Sequence, residues 1–373
     1  EFRMKKNRLL GLAVVLFGTV GAMTSCGGTT AEYALITDVG DIDDESFNQT
    51  SWEALKDFCE ENDKTYAYYR PTEDSTAARL VQIDQAVQRG AKIVVCPGYL
   101  FEDAVYEAQT KYPEVKFVLI DGQPHTADYG TYETKDNTVS IIFKEEIAGF
   151  LAGYAAVMDG NTKLGFCGGM AVPAVQRYGS GFVQGAEQAA TELNVTGSLT
   201  YYYAGAFEAT DAATTLMKSL YADGTEVVFA SGGKVYLSVQ EAAKDYNNAQ
   251  WIGVDVDQSS VDTKVLTSAI KGLRESVTSA LEVYSENSWS DIGGKDYTLG
   301  LDSEFGNLDK MDYVGIPTND SAWRFEKFTK DQYNAILAKI KNGEVTINNS
   351  VEEAPKTSKI SVTWNSPFAG AEN

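Results

Sequence analysis

The chain has 373 residues, 43% of them hydrophobic and 23% charged, which is ordinary for a globular protein. Its length favours two domains, because a domain usually spans about 100–200 residues. Asp and Glu number 53 against 31 Lys and Arg, and the net charge of −22 disfavours nucleic acids and anionic lipid surfaces as partners. The single histidine, His125, argues against zinc hydrolases and histidine-based triads, and it is expected at the surface after a Gly-Gln-Pro turn. No cysteine spacing typical of a metal site occurs, so no metal is expected.

The first residues are typical of an export signal. Four basic residues between positions 3 and 8 precede an uncharged, largely apolar run of 15 residues from Leu9 to Met23. Such a run is too short to cross about 30 Å of hydrocarbon and suits the core of a signal peptide, here 1–25. Cys26 follows small residues at the end of this run, which resembles the processing site of bacterial lipoproteins. Lipidation of Cys26 is therefore expected, with 26–32 as a tether; plain secretion with Cys26 as a bystander is the alternative.

From position 33 onward, short β-rich runs alternate with stretches whose apolar residues recur at helical spacing. Continuous apolar strands separated by helices favour parallel sheets that are covered on both faces. The sequence therefore predicts an α/β protein of two doubly wound parallel-sheet lobes with a cleft between them. The nine predicted strands are 33–37, 65–69, 92–96, 117–120, 138–142, 163–167, 199–203, 226–230 and 250–254.

The alternation occurs twice, and no low-complexity linker separates the two halves. We therefore expect lobes joined by several short crossovers. The first lobe is expected to comprise 33–145 and about 258–300, and the second 146–257 and about 301–373. A long helix is predicted from about 260 to 287, at the start of the return to the first lobe.

Several candidate ligand-binding residues follow the predicted strands. In open parallel sheets, ligands bind beyond the carboxyl ends of the strands. Three carboxylates, Asp38, Asp121 and Asp255, occupy such positions, as do Phe207 and a glycine pair that starts at Gly232. Carboxylates accept hydrogen bonds from hydroxyl groups, and the glycine pair lacks the pattern of a phosphate-binding loop. These residues indicate a pocket for a polyol or a nucleoside rather than for a phosphate.

The segment from Asp38 to Gln49 reads Asp-Val-Gly-Asp-Ile-Asp-Asp-Glu-Ser-Phe-Asn-Gln; it follows a strand and opens a helix. It is similar to the opening motif of the basic membrane protein family of bacterial lipoproteins. Members of this family are purine-nucleoside substrate-binding proteins of ABC importers, with a type I periplasmic-binding fold. The likeness continues to about position 275. The further matches are Phe117-Val-Leu-Ile-Asp121-Gly122, Phe143-Lys-Glu-Glu146 with Phe150-Leu-Ala-Gly153-Tyr154, Ala204-Gly-Ala-Phe207, Val228-Phe-Ala-Ser-Gly232-Gly233, Gly253-Val-Asp255-Val-Asp257-Gln258 and Val265-Leu-Thr-Ser268-Ala-Ile-Lys271.

The resemblance implies a role for each matching position. Phe47 and Phe207, one from each lobe, would stack on the two faces of a purine. Asp121 and Asn48 would bind the edge of the base. The ribose hydroxyls would be held by Asp38, Asp255, the Gly232 backbone and Lys271.

The same resemblance implies a lipid-anchored receptor on the extracytoplasmic face of the cell membrane, with no enzymatic activity and no cofactor. As a monomer, it would bind a purine nucleoside of the inosine, guanosine or adenosine class. It would deliver this ligand to a permease driven by a separate ATPase, and its lobes would close on the ligand by a hinge motion. Lys234 departs from the family pattern, which usually has a small polar residue at this position.

Two alternative functions are compatible with these residues. An exported protein with the same fold can bind sugars or another small polar ligand. The acids from Asp38 to Asp44 superficially resemble the calcium site of nucleoside hydrolases, but their spacing differs and no second cluster follows. The site residues also have structural interpretations: Phe47 as a hydrophobic staple, Asp255 as a helix cap and Lys271 as a solvated charge.

Overall fold

The computed structural model describes residues 30–365, and within them the chain forms fifteen strands and nine α-helices. The predicted signal peptide and Cys26 lie outside the described residues. In chain order the strands are β1 (Tyr33–Ile36), β2 (Tyr66–Tyr69), β3 (Ile93–Pro97), β4 (Lys116–Ile120), β5 (Thr138–Phe143), β6 (Lys163–Gly168), β7 (Gly197–Tyr203), β8 (Val227–Ser231), β9 (Gln250–Asp255), β10 (Val265–Lys271), β11 (Lys295–Leu299), β12 (Ser303–Phe305), β13 (Leu308–Met311), β14 (Val314–Gly315) and β15 (Ile360–Trp364). The helices are α1 (Phe47–Glu61), α2 (Thr76–Gln88), α3 (Glu102–Lys111), α4 (Glu145–Met158), α5 (Pro173–Leu193), α6 (Asp211–Ala222), α7 (Tyr236–Ala243), α8 (Leu273–Ser285) and α9 (Lys330–Lys341).

The strands form two large sheets, one in each lobe. The first sheet is parallel and has the order β11-β5-β4-β3-β1-β2. The second has the order β14-β10-β9-β8-β6-β7-β15, in which β14 runs antiparallel to β10 and the other neighbours are parallel. The predicted architecture of two parallel-sheet lobes is confirmed. All nine predicted strands occur as β1–β9, each within two residues at either end.

Burial explains why these runs form strands. Every residue of β3 and of β8 is buried, as expected for central strands of a sheet covered on both faces. The helices that cover the sheets bury one stripe each; on α1 this stripe includes Leu55, Phe58 and Cys59. No helix within residues 30–365 is long and apolar enough to cross a membrane.

The stretch from 258 to 300 departs from the prediction. We expected a long helix from about 260, with the whole stretch in the first lobe. Instead, β10 pairs with β9 in the second sheet, and α8 begins only at Leu273. The helix prediction failed because the buried residues Val265, Ala269, Leu273 and Val277 recur at intervals of four, which imitates a helical stripe across a strand–helix junction.

The chain crosses between the lobes three times: between β5 and α4, between β10 and α8, and between β13 and β14. The β12–β13 hairpin packs on the first lobe, where Ser279 Oγ of α8 donates a hydrogen bond to the Phe305 carbonyl oxygen at 3.2 Å. The boundary expected near 300 therefore lies near 312, and the boundary expected near 258 lies near 272. The last strand, β15, returns to the outer edge of the second sheet beside β7.

Helices α4 and α5 pack backbone to backbone in the second lobe. The contact is made by Gly149 and Gly153 on α4 and by Gly181 and Gly185 on α5. A Cβ atom at Gly153 would lie 2.2 Å from the carbonyl oxygen of Phe182, which is much closer than real Cβ atoms approach oxygen. Glycine at these positions therefore sets the spacing of the two helices.

Candidate functional site

A cavity opens between the lobes at the carboxyl ends of both sheets. Its empty space is about 680 Å³, including the part open to solvent. All eight residues that the sequence predicts for the ligand site line this cavity. They are Asp38, Phe47, Asn48 and Asp121 from the first lobe and Phe207, Gly232, Asp255 and Lys271 from the second.

The loop between β1 and α1 is fixed by Asp44. Its carboxylate accepts hydrogen bonds from the backbone N–H groups of Ser46, Asn48 and Gln49 at 2.9–3.0 Å and so caps α1. Burial raises the pKa of Asp44 to about 6, against the opposing effect of these three bonds. Asn48 Nδ2 donates to Asp38 Oδ1 at 2.9 Å and to Asp44 Oδ2 at 3.3 Å. Both amide hydrogens of Asn48 are thus used within the protein, one to hold Asp38 in place and the other to bind Asp44.

Two phenylalanine rings enter the cavity from opposite lobes. Phe47 lies in the first turn of α1, and Phe207 lies in the loop between β7 and α6. Both rings are half-buried and rest beside glycines at strand ends. A Cβ at Gly98 would lie 3.7 Å from the Phe47 ring, and a Cβ at Gly232 would lie 3.1 Å from the Phe207 ring. Gly98 and Gly232 also have positive φ angles of 117° and 129°, which favour glycine, and at Gly232 the close approach of the Phe207 ring favours it as well.

Lys271, at the end of β10, places its ammonium group among three carboxylates. Its Nζ donates a hydrogen bond to Asp121 Oδ2 and lies 3.4 Å from Asp255 Oδ1 and 3.5 Å from Glu145 Oε1. Burial acts to lower the pKa of Lys271, but the three carboxylates outweigh this effect and raise it. The Lys271 Nζ also lies 4.7 Å from the centre of the Phe47 ring, at cation–π distance. Lys271 is therefore a buried cation with anionic partners from both lobes.

The carboxylates at the ends of β4 and β9 are held in strained backbone conformations. Asp121 and Asp255 have φ angles of 59° and 68°, in the left-handed region that residues other than glycine seldom adopt. Such strain concentrates at binding sites, where the surrounding structure enforces it. Burial raises the pKa of Asp121 to about 7, with Lys271 opposing the shift. Among the described residues, Asp121 Oδ1 is buried and has no hydrogen-bond partner, so its capacity to accept a hydrogen bond is unused.

The loop before α1 also joins the two lobes across the cleft. Three of its residues, at positions 43, 45 and 46, contact the second lobe. Lys234 Nζ lies 2.6 Å from Asp43 Oδ1, Gln258 Nε2 donates to the Glu45 carbonyl oxygen at 2.9 Å, and Ser46 Oγ donates to Asp255 Oδ2 at 2.6 Å. These contacts close one side of the cavity.

The chemistry of the cavity favours an uncharged ligand with a flat ring and hydroxyl groups. The two phenylalanine rings can stack on a planar group, and the carboxylates can accept hydrogen bonds from hydroxyls. The acidic wall repels anions, since its one deeply buried ammonium, Lys271, is already paired with carboxylates. Within residues 30–365, no cluster of three or more His, Cys, Asp or Glu side chains is arranged to hold a metal ion.

Comparison with known proteins gives the family. A family model named Bmp, described as "ABC transporter substrate-binding protein PnrA-like", matches residues 31–350. The chain belongs to this family. A CD4+ T-cell-stimulating antigen of Listeria monocytogenes is 30% identical over 362 residues, which cover 90% of this chain and 95% of the relative. The ABC transporter nucleoside-binding protein BmpA of Lactococcus lactis is 28% identical over 276 residues, which cover 68% of this chain and 75% of the relative.

Solved structures support the fold of this Bmp-family chain. A solute-binding protein of an ABC transporter system from Aeropyrum pernix superposes with a TM-score of 0.67 at 21% identity, covering 84% of this chain and 86% of that one. At this identity the likeness shows the fold alone, and it confirms the predicted periplasmic-binding architecture. Membership in the Bmp family makes the protein an extracytoplasmic substrate-binding component of an ABC transporter, with a small-molecule ligand and a permease partner. The family consists of binding proteins rather than enzymes, so the nucleoside hydrolase alternative is wrong.

Sequence reasoning missed two cavity-side residues. Tyr178 on α5 lines the cavity, is fully buried, and directs its hydroxyl toward Asp255 Oδ1 at 3.4 Å. Its helical surroundings gave no signal, because it follows no strand. Glu145 is also fully buried and faces Lys271, and here a signal existed, since Glu145 belongs to the motif Phe143-Lys-Glu-Glu146.

Proposed function

We propose that this Bmp-family protein is a lipid-anchored receptor that binds purine nucleosides between Phe47 and Phe207 and delivers them to an ABC permease. The observation that carries the proposal is that two aromatic rings, one from each lobe, line a single cavity in which carboxylates are the most numerous type of polar side chain. The name of the Lactococcus lactis relative, a nucleoside-binding protein, supports the same ligand class. Anchoring through Cys26 is part of the proposal and rests on the sequence alone.

The purine would stack between Phe47 and Phe207. A base–aromatic contact contributes about 1–3 kcal/mol, and two such contacts tolerate different purines because every base has a flat face. Asp121 would bind the edge of the base with Oδ1, the oxygen that has no partner among the described residues. Asn48 would act on this edge mainly through the groups it fixes, because its amide hydrogens are already bonded within the protein.

The ribose would lie against the carboxylates. Adjacent hydroxyl groups can both donate to one carboxylate, which has about four acceptor positions. Asp38 and Asp255 supply such carboxylates. Glycine at position 232 has a φ of 129°, which other residues rarely adopt, and its lack of a side chain lets the sugar approach the backbone closely. Lys271 would keep the acids from repelling one another and would offer a donor to a hydroxyl oxygen.

Calorimetric titration of the purified protein with inosine, guanosine and adenosine tests the proposal. We expect at least one to bind, and Phe207→Ala to weaken binding by about fivefold to 150-fold, because the lost stacking contact contributes about 1–3 kcal/mol. Phe325→Ala is the matched control: Phe325 is also half-buried, but it packs on Trp323 and does not line the cavity. Its affinity should stay within about twofold of the parent protein.

The outcomes separate the alternatives. An unchanged affinity in Phe207→Ala rejects the purine sandwich. Binding of pentoses or hexoses without any nucleoside binding would favour the sugar receptor of the same fold. Asp255→Ala should weaken the binding of ribosides but not of free purine bases, because only ribosides carry the hydroxyls that the carboxylate accepts.

A further inference from the structure

The motif Phe143-Lys-Glu-Glu146 contains a buried acid that the proposed ligand contacts do not use. Glu145 is the first residue of α4, directly after the first crossing between the lobes, and its side chain is fully buried. Its Oε2 accepts a hydrogen bond from Arg177 Nε of α5 at 2.6 Å. Among the described residues its Oε1 has no hydrogen-bond partner and lies 3.5 Å from Lys271 Nζ. The carboxylate therefore links Arg177 to the cation of the cavity.

Lys271 lies at the second crossing between the lobes, since it ends β10 just before α8. Its ammonium meets one carboxylate of the first lobe, Asp121, and one of the second, Asp255. A long lysine side chain has several rotamers, and fixing it opposes its conformational entropy. A third acid on a rigid helix, itself held by Arg177, restricts the ammonium to one place.

Glu145 does not line the cavity, so it has no direct access to a ligand. Its neighbour Glu146 has the same side chain and is also buried, but it makes no ion pair with Lys271. The two adjacent acids thus differ in their charged partners, because Glu145 pairs with Lys271 and Arg177 and Glu146 forms an ion pair with neither.

We propose that Glu145 is a positioning residue of the binding site, which together with Arg177 fixes the Lys271 ammonium between the carboxylates of the two lobes. The effect of Glu145 on ligand affinity rests on the proposed function. Its electrostatic effect on Asp121 is independent of that function, because Asp121 and Glu145 both pair with Lys271 in the ligand-free protein.

The test is the substitution Glu145→Gln, with Glu146→Gln as the matched control. The Gln side chain keeps the shape and removes the charge. Carbon-13 NMR of the Asp121 carboxyl group as a function of pH, without ligand, measures the titration midpoint of this group. In the parent protein we expect a midpoint near 7. The other charged groups that face Asp121 are Lys271, Glu145 and Asp255, with Arg177 behind them. Removing the Glu145 charge should lower this midpoint by roughly one pH unit, because a nearby like charge raises a carboxyl pKa.

Glu146→Gln should leave the Asp121 midpoint unchanged. An unchanged midpoint in Glu145→Gln would overturn the proposal. An increase would support it, because it would mean that Lys271 had left Asp121 once Glu145 no longer held the ammonium in place. If Glu145→Gln does not fold, Glu145→Asp withdraws the carboxylate from Lys271 by one methylene group. Glu145→Asp should also lower the titration midpoint of Asp121. An unchanged midpoint in this variant rejects the proposal as well.

Ligand binding gives the second measurement. If the parent protein binds a nucleoside, Glu145→Gln should weaken that binding about fivefold or more at pH 7, and Glu146→Gln should change it by less than about twofold. If no nucleoside binds to the parent protein, the proposed function fails. The Asp121 midpoint still decides the role of Glu145 in that case.

Discussion

The close approach of α4 and α5 allows a substitution whose cost can be worked out from the structure. In Gly153→Ala, the new Cβ would lie 2.2 Å from the Phe182 carbonyl oxygen and 3.1 Å from the Ala186 nitrogen. Ordinary contact begins at 3.4 Å, so the shortfall at the oxygen is 1.2 Å. Both neighbouring atoms belong to the backbone of α5, and no side-chain rotation relieves the overlap. The helices must therefore move apart.

Overpacking of a core costs about 1–3 kcal/mol, and a clash with rigid backbone belongs at the upper end of that range. Alanine has a higher helix propensity than glycine and offsets the cost by up to about 1 kcal/mol. We expect a net loss of about 2 kcal/mol of unfolding free energy. For a chain of 373 residues, at about 2.1 cal/mol/K of unfolding entropy per residue, this corresponds to a decrease in Tm of about 2–3 °C.

Urea unfolding followed by circular dichroism, with calorimetric measurement of Tm, tests this expectation. Asn334→Ala on the exposed face of α9 is the control, because there alanine adds helix propensity without a clash. This control should be stable to within a few tenths of a kcal/mol of the parent protein, or slightly more stable. A Gly153→Ala protein as stable as the parent would show that α4 and α5 do not approach each other as closely as described.

Two further predictions concern charges around the cleft. Lys234→Ala should speed ligand dissociation in stopped-flow experiments by up to about fivefold, because the Lys234–Asp43 pair spans the cleft mouth and an exposed ion pair contributes at most about 1 kcal/mol. Asp43→Asn should speed dissociation to the same extent, and the two substitutions combined should have no larger effect than either alone. A faster dissociation than in the parent protein that persists in 1 M salt would contradict the ion-pair explanation. Burial raises the pKa of Glu146 to about 7, so the folded protein binds a proton more tightly than the unfolded chain, and this contribution to stability is lost as pH rises through 7. Glu146→Gln should therefore lose less Tm than the parent protein between pH 5.5 and 7.5, and equal losses would refute this role.

The sheets were accessible from the sequence because their strands carry a strong local signal. Runs such as Ile93–Pro97 are buried on both faces, so they are continuously apolar and are bounded by glycine or charged residues. The junction at Gly272 was not accessible, since the spacing of buried residues on β10 continues without interruption into α8. Only pairing with β9, a contact between segments that are distant in the chain, shows that Val265–Lys271 is a strand.

His125 shows a second limit of sequence reasoning. Its turn-rich context predicted a surface position, but the side chain is buried. The imidazole Nε2 lies 3.0 Å from Glu102 Oε2, and the ring stacks on Tyr129 at 4.3 Å between centroids. Glu102 of α3 and Tyr129 of the loop between β4 and β5 bury the histidine. Nothing in the Gly-Gln-Pro turn identifies these partners.

The candidate site was largely accessible for a topological reason. Ligand-facing side chains on a parallel sheet follow the ends of strands, so locating β4 and β9 locates Asp121 and Asp255. Residues that reach the site from the sides of helices, such as Tyr178 and Glu145, have no such marker. Their roles depend on how α4 and α5 pack against the second sheet, and the glycine contacts set the spacing of these two helices.

The three crossings between the lobes limit how this protein can be divided or recombined. Neither lobe is one continuous stretch of chain. The sheet of the first lobe combines β1–β5 with β11, and the sheet of the second combines β6–β10 with β14 and β15. A fragment that ends near Lys144 would lack β11 and α8 and would leave an edge of its sheet and one helix-covered face bare. A chimaera that exchanges one lobe between relatives must therefore exchange several interleaved segments together, and a single splice point is insufficient.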